Sequence, residues 1–142
     1  MCIRDSDIGD LRDITAHDVL LEYDGGALTR RWLHGQQIDE PVAFEAYGAD
    51  NTPGAGTAHA LHADRQGSVI AVTDQTTGSI AARYVYDAFG QRTETISGTG
   101  ADYGFTGREY DAETGLYHYR ARHYDPGLGL SLIHISEPTR PY

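Results

Sequence analysis

The sequence predicts an all-β chain built as an antiparallel β-hairpin meander. Three observations carry that expectation. Glycine and tyrosine are prominent, at 17 and 10 of 142 residues; tyrosine suits a pleated, half-buried surface, and glycine supplies the positive φ angles of tight turns. An aspartate followed three or four positions later by a glycine recurs at strand-length intervals. No segment shows an apolar period of 3.6 residues, so little helix is expected.

Taken in order, Val19 to Tyr23 and Leu28 to Leu33 read as a hairpin about Asp24-Gly25-Gly26. Residues 49 to 57 (ADNTPGAGT) form a loop by composition. From there the repeated turn takes over: Asp64 to Gly67, Asp74 to Gly78, Asp87 to Gly90, Asp111 to Gly115 and Asp125 to Gly129. Aspartate caps its own turn through an Asx hydrogen bond, and glycine takes the left-handed position that ends it. In four cases a tyrosine precedes the aspartate, at Tyr23, Tyr86, Tyr110 and Tyr124. It stands as the last strand residue, with its ring packed beside the neighbouring unit. One such turn is a weak signal; six in a short chain are a strong one.

The turn positions fix expected registers. A turn at Asp74 to Gly78 pairs Val72 with Ile80 and Ile70 with Ala82, all on one face. A turn at Asp87 to Gly90 pairs Tyr84 with Thr93 and sets Arg83 opposite Glu94, a cross-strand charge pair. Tyr84 and Tyr86 then share the face of Ile80 and Ala82, and residues 68 to 96 form a continuous meander. Residues 97 to 101 are a Gly-rich connection. Residues 116 to 124 (LYHYRARHY) read as one long strand, with Leu116, His118, Arg120, Arg122 and Tyr124 on one face and Tyr117, Tyr119, Ala121 and His123 on the other.

Both ends stand apart. Residues 1 to 6 (MCIRDS) can be encoded by ATG TGT ATA AGA GAC AG plus one base, and residues 130 to 135 (LSLIHI) by CTG TCT CTT ATA CAC AT plus one base. These strings are reverse complements and resemble the transposon mosaic end used in sequencing libraries; residues 136 to 142 (SEPTRPY) then read as the adjoining adapter. The expected native stretch is therefore about Asp7 to Gly129, cut from something longer, and Cys2, His134 and Tyr142 carry no functional weight. The tail alternates apolar and polar residues by chance, so it is expected to find no matched strand partner and to lie outside the core, with Pro138 and Pro141 blocking ladder bonds beyond it.

Charge and composition exclude several functions. A formal net charge of -10 repels phosphate backbones, which argues against nucleic-acid binding. A single cysteine, Cys2, allows no intrachain disulfide. No apolar run approaches the roughly 20 residues of a membrane helix, and residues 1 to 6 lack the apolar core of a signal peptide.

Residues 105 to 126 (FTGREYDAETGLYHYRARHYDP) resemble the Rhs repeat-associated core, whose pattern reads approximately FTGxxxDxETGLYYxRARYYDPxxGRF. Residues 62 to 69 (HADRQGSV) and 84 to 90 (YVYDAFG) also resemble it. The resemblance covers nearly all of Asp7 to Gly129 and is strongest from His62 onward. It implies a piece of a YD-repeat β-shell, a hollow cocoon that holds a variable C-terminal toxin until delivery. On that basis residues 7 to 61 form a YD-repeat-like β region with a Gly/Pro loop, residues 62 to 129 the core segment, and residues 1 to 6 and 130 to 142 the adapter-like ends. The implied partners are the encapsulated toxin and the rest of the shell in the same chain, with no nucleic acid and no membrane span. The implied location is secreted or at the bacterial cell surface.

Such cores end in an aspartate-dependent self-cleavage that frees the toxin. Here the chain departs from the pattern: after Asp125-Pro126-Gly127-Leu128-Gly129 the Arg-Phe is absent. Self-cleavage needs two nearby carboxylates, one charged as base and one protonated as acid. Asp125 is a candidate for one of them in the full-length protein, and a turn cap in this chain. The other readings weighed are an aspartyl self-cleaving core and a glycan-binding or adhesion module of Tyr-rich strands.

No metal site or cofactor is expected. His59 and His62, three apart on a strand, point to opposite faces, and His118 and His123 likewise. Arg120 and Arg122 with Tyr117 and Tyr119 read as a solvated face with cation–π packing. Gly98-Thr99-Gly100 lacks the strand-to-helix context of a phosphate loop, and no nucleophile elbow or CxxC is present.

Overall fold

The computed structural model describes residues 20–37, 39–48, 55–120 and 122–132. Val19, the loop at 49–54, Ala121 and the outer parts of both ends lie outside them. The described chain is an open, all-antiparallel β structure whose only helical element is a 3-10 turn at Phe105–Gly107.

The first sheet has seven strands: β1 (Leu21–Asp24), β2 (Ala27–His34), β3 (Pro41–Ala46), β4 (Thr57–Ala63), β5 (Val69–Asp74), β6 (Ile80–Tyr86) and β7 (Arg92–Ile96). Their spatial order is their chain order, a pure meander. The second sheet is a four-stranded meander of β8 (Glu109–Asp111), β9 (Leu116–Tyr119), β10 (Arg122–Asp125) and β11 (Leu130–Leu132).

Aspartate–glycine spacing sorts the turns into two kinds. Where the glycine is three residues on, its N–H donates to the aspartate carbonyl at 3.1 Å, as in Gly67 to Asp64 and Gly90 to Asp87. The aspartate Oδ1 then accepts the second and fourth N–H groups: Gln66 and Ser68 for Asp64, Phe89 and Gln91 for Asp87. Where the glycine is four residues on, the backbone bond spans one residue more, at 2.8 Å for both Gly78 to Asp74 and Gly115 to Asp111. The Asp74 side chain takes the N–H groups of Thr76 and Thr77, and that of Asp111 takes Glu113. Those amides hold the Asp74 carboxyl below the usual carboxylate range, Thr77 contributing most.

The expected registers need correction. The Asp74 turn closes against Ser79, and a bulge at Ala81 shifts the ladder once more, so Val72 faces Ala82 and Thr73 faces Ile80. Ile80 is thus off the core and 45% exposed. A bulge at Ile70 against β4 turns Val69 inward in its place, and Ile70 is 38% exposed. At the next turn Asp87 closes against Gln91, with Gly90 as the bulge residue (φ 88°). Tyr84 therefore faces Glu94 and Arg83 faces Ile96, so the expected Arg83–Glu94 pairing is replaced. One-residue shifts of this kind exchange the faces of a strand.

Residues 116–124 are not one strand. The ladder turns back between Tyr119 and Arg122, where Arg120 takes a left-handed φ of 59°. No glycine, proline or asparagine marks the place, which is why alternation alone reads straight through it. The adapter-like residues 130–132 also depart from expectation, since they pair with β10, Asp125 opposite Leu130. Leu130 is 57% exposed and lies outside the core.

The core lies on the inner face of the first sheet: Trp32, Phe44, Val69, Val72, Ala82 and Tyr84, covered by Ala101 and Tyr103 from the connection after β7. Trp32 packs on Phe44 and Tyr103 at 4.8 and 4.7 Å between ring centroids. Each such side chain contributes about 1.5–3 kcal/mol on burial. Among the described residues no helix is long and apolar enough to cross a membrane.

Candidate functional site: the seam between the sheets

Residues 101–107 run across the inner face of the first sheet and lead into the second. They are pinned at each step. Ala101 N–H donates to Tyr84 Oη at 2.9 Å, Val69 N–H to the Gly104 carbonyl at 3.1 Å, and Thr106 N–H to the buried Ser68 Oγ at 3.0 Å. Tyr86 Oη donates to the Val69 carbonyl at 2.6 Å. Phe105 lies so close over Gly90 that any Cβ there would strike its ring.

Tyrosine and arginine complete the seam. Tyr117, fully buried, donates to the Gly90 carbonyl at 2.9 Å, and Tyr124 to the Phe89 carbonyl at 2.7 Å. Both bonds tie β9 and β10 to the Asp87 turn of the first sheet. Arg92 sits between the rings of Tyr84 and Tyr110, 4.5 and 4.1 Å from their centroids. Burial raises the Tyr86 and Tyr117 hydroxyls far above the ordinary phenol range, so both stay neutral donors.

Among the described residues three non-glycine residues hold left-handed backbone angles, Asp39, Thr106 and Arg120 (φ 60°, 53° and 59°), and all three meet at one end of the seam. Arg108 grips the Asp39 carboxylate with both terminal nitrogens, 3.1 Å to Oδ1 and 2.9 Å to Oδ2, and Arg120 approaches it at 3.7 Å. Thr106 Oγ1 and Tyr119 Oη share a hydrogen bond of 2.7 Å, and Arg108 stacks 4.7 Å from the Tyr119 centroid. Gly107 is pressed against the Asp39 carbonyl, where a Cβ has no room. Left-handed non-glycine residues cost on the order of 1–3 kcal/mol each. The ion pair and the hydroxyl bond hold them in place. The resulting cluster is a clasp joining the β2–β3 connection to the second sheet.

A second polar feature sits at the opposite end. Glu22 is 5% exposed and accepts the Trp32 indole N–H at 2.6 Å; Arg30 lies 3.9 Å from it and 2.7 Å from Asp102. Burial first, and the Asp102 carboxylate second, push the Glu22 carboxyl from its ordinary 4.5 up to about 7. Both acids border a 520 Å³ cleft that also takes in Asp24, Glu109 and Asp111.

The repeat-turn residues lie along the sheet margins rather than in one site. Tyr23 and Asp24 open the β1–β2 turn; Asp64 and Gly67, Asp74 and Gly78, Asp87 and Gly90, and Asp111 and Gly115 close the later hairpins. Of these, Gly90 and the tyrosines Tyr86, Tyr110 and Tyr124 reach the seam. Asp125 is half-buried at the β10–β11 turn, where its Oδ1 accepts the N–H groups of Gly127 and Leu128 at 2.8 and 3.1 Å. His59 is buried and stacked on Phe44, while His62 is exposed, so the two do point apart. His118 and His123 do not: the β9–β10 hairpin brings them side by side, 5.3 Å between ring centroids. Among the described residues no three His, Cys, Asp or Glu side chains converge as a metal centre. The expected solvated face of Tyr117, Tyr119, Arg120 and Arg122 needs correction: Tyr117 is fully buried, and the cation stacked on Tyr119 is Arg108. Asp39 escapes sequence reading because it meets Arg108 across 69 positions; the FTGR run is the signal that points to Arg108.

No protein-family model matches the chain. It is 40% identical over 80 residues to the tRNA(Glu)-specific nuclease WapA of Bacillus subtilis subsp. natto (strain BEST195), covering 54% of this chain and 3% of that protein. It is 39% identical over 80 residues, with the same coverage, to the tRNA nuclease WapA of Bacillus subtilis (strain 168). The chain thus spans about 3% of the length of these relatives. Among solved structures, TcdB2-TccC3 superposes with a TM-score of 0.55 at 20% identity, over 78% of this chain and 6% of that one. At that identity the likeness is one of fold.

Proposed function

From the premise that the chain is an Rhs/YD-repeat protein, we propose that it is a wall segment of a toxin-related Rhs protein, non-enzymatic in itself. In this reading the full-length protein is exported or displayed at the cell surface and encloses a C-terminal toxin behind walls made of such strips. The observation that carries the proposal is the open meander itself. Strands add in chain order, Asp–Gly turns close each hairpin, and the inner face is sealed by the chain's own seam rather than shaped around a substrate. The likeness of fold to TcdB2-TccC3 supports it. The nuclease activity named for the WapA relatives belongs, in this reading, to other parts of those long proteins. A segment with a formal charge of -10 is poorly suited to a polyanion.

The experiment is incubation of the purified chain with mass-spectrometric and nuclease readouts, alongside the full-length protein. The chain is expected to stay intact and inactive, and the C-terminal toxin of the full-length protein to resist added protease while the walls are folded. Cleavage of the isolated chain after Gly129, abolished by Asp125→Asn, would replace the wall reading with the self-cleaving core. Selective binding on a glycan array would favour the adhesion module.

A further inference from the structure

We propose that Asp24–Gly25, at the β1–β2 turn, is a self-modifying site where aspartate converts through a succinimide to isoaspartate, which makes this hairpin a substrate for an S-adenosylmethionine-dependent isoaspartyl carboxyl methyltransferase. Asp24 is the only aspartate of the chain that is followed by glycine. Both central residues of the turn hold positive φ angles, 56° at Gly25 and 80° at Gly26, between the paired Asp24 and Ala27. That is a two-residue hairpin turn of the primed class, whose first central N–H stays outside the strand ladder.

Asp24 lacks the lock that the other repeat turns carry. The Oδ1 atoms of Asp64, Asp74, Asp87, Asp111 and Asp125 each accept the N–H two residues on, from Gln66, Thr76, Phe89, Glu113 and Gly127. Such an Asx bond occupies the carboxyl and fixes its rotamer. The nitrogens that would attack are restrained as well in two of these turns. Gln75 N–H donates to the Ala58 carbonyl at 2.9 Å, and the Pro126 nitrogen carries no hydrogen to give up. Among the described residues the Asp24 carboxylate and the Gly25 N–H have no such partner. Asp24 is exposed, and a Cβ added at Gly25 would meet nothing within 4 Å, so nothing crowds the attacking nitrogen.

The chemistry needs only water. The Gly25 nitrogen attacks Cγ of the protonated Asp24 carboxyl and forms an N–Cγ bond. The carboxyl hydroxide leaves with the amide proton as one water, and a five-membered succinimide results. One water then adds back. Addition at Cγ restores aspartate. Addition at the former main-chain carbonyl carbon breaks its bond to the Gly25 nitrogen, so the chain runs through the side chain and the old carbonyl becomes a free carboxylate. The methyltransferase moves the sulfonium methyl of its cosubstrate to that carboxylate. The extra backbone carbon lengthens the turn, and the neighbouring Tyr23–Leu28 pairing frays first. The proposal is independent of the wall reading.

The test is incubation of the 142-residue chain in mildly acidic buffer, folded and in guanidinium, with isoaspartate mapped by electron-transfer fragmentation of its peptides. In the folded chain isoaspartate should accumulate at Asp24 at least about tenfold faster than at Asp64, Asp74, Asp87 or Asp111, and within about tenfold of its own rate in the unfolded chain. Methyl incorporation from labelled S-adenosylmethionine by an isoaspartyl methyltransferase should fall at least about fivefold in Asp24→Glu, whose side chain would have to close a larger ring. Isoaspartate spread evenly over the repeat turns, or a folded rate at Asp24 suppressed beyond that margin, overturns the proposal. So does a smaller fall in methyl incorporation. The comparison of folded with unfolded wild-type chain needs no variant to fold.

Discussion

Replacing Glu22 by glutamine should make the chain more stable at alkaline pH and leave it unchanged in acid. The Glu22 carboxyl is 5% exposed, accepts the Trp32 N–H at 2.6 Å, and shares Arg30 with Asp102. Its proton is held up to about pH 7, against an ordinary value of 4.5. Between those values the folded chain keeps a proton that the unfolded chain has released, so stability falls as pH rises through that window. The penalty is absent below 4.5 and complete above 7. The difference corresponds to about 3 kcal/mol at 1.36 kcal/mol per pH unit. Glutamine keeps the shape and the oxygen that accepts the indole proton but carries no charge. Guanidinium unfolding followed by fluorescence of Trp32, the chain's single tryptophan, measures both proteins from pH 4.5 to 8.5. The gap should open from near zero to roughly 2–3 kcal/mol in favour of Glu22→Gln. Parallel pH profiles, or a variant less stable at pH 8, would refute the reasoning.

Three further outcomes are expected. Tyr117→Phe strips the buried bond to the Gly90 carbonyl and should cost about 1–2 kcal/mol in chemical denaturation; a neutral result would remove that bond from the seam. Gly78→Ala and Gly90→Ala both place alanine at a positive φ, but only Gly90 meets the Phe105 ring, so its thermal midpoint should fall further, by the equivalent of at least ~1 kcal/mol. Arg108→Lys loses the two-pronged grip on Asp39 and should cost roughly 1–2 kcal/mol, with faster amide exchange at Thr106, whereas unchanged exchange would separate the clasp from the backbone strain.

The turns were legible because their chemistry is local: an aspartate and a glycine three or four residues apart determine which backbone bond forms. Register was not, because each bulge moves the ladder by one residue, and Ile70 and Ala81 look like ordinary strand residues. The β9–β10 hairpin was invisible for a related reason. Arg120 adopts its left-handed angle under tertiary constraint, near Asp39 and Tyr119, without any turn residue to announce it. The inward face of Trp32, Phe44, Tyr84 and Tyr103 needed the path of residues 101–107, where the sequence offers only the end of the Gly-rich connection at 97–101 and the opening of the FTGR pattern. Of the clasp, the FTGR run was visible as a pattern, while its partner Asp39 lies 69 positions away.

The identity of spatial order and chain order in the seven-stranded sheet bears on how the molecule is made. Every strand finds its partner across one short connection, so no pairing waits for distant sequence, and loop-closure entropy stays small at each addition. Such a sheet can grow at the ribosome one hairpin at a time, its leading edge always ready for the next strand. Residues 101–107 follow all seven strands in the chain and lie on their inner face, docking Ala101, Gly104 and Thr106 against Tyr84, Val69 and Ser68, so that covering is available only once the last strand has been made. Because the strap belongs to none of the seven strands, its departure alone would expose the inner face while leaving the strand ladder paired.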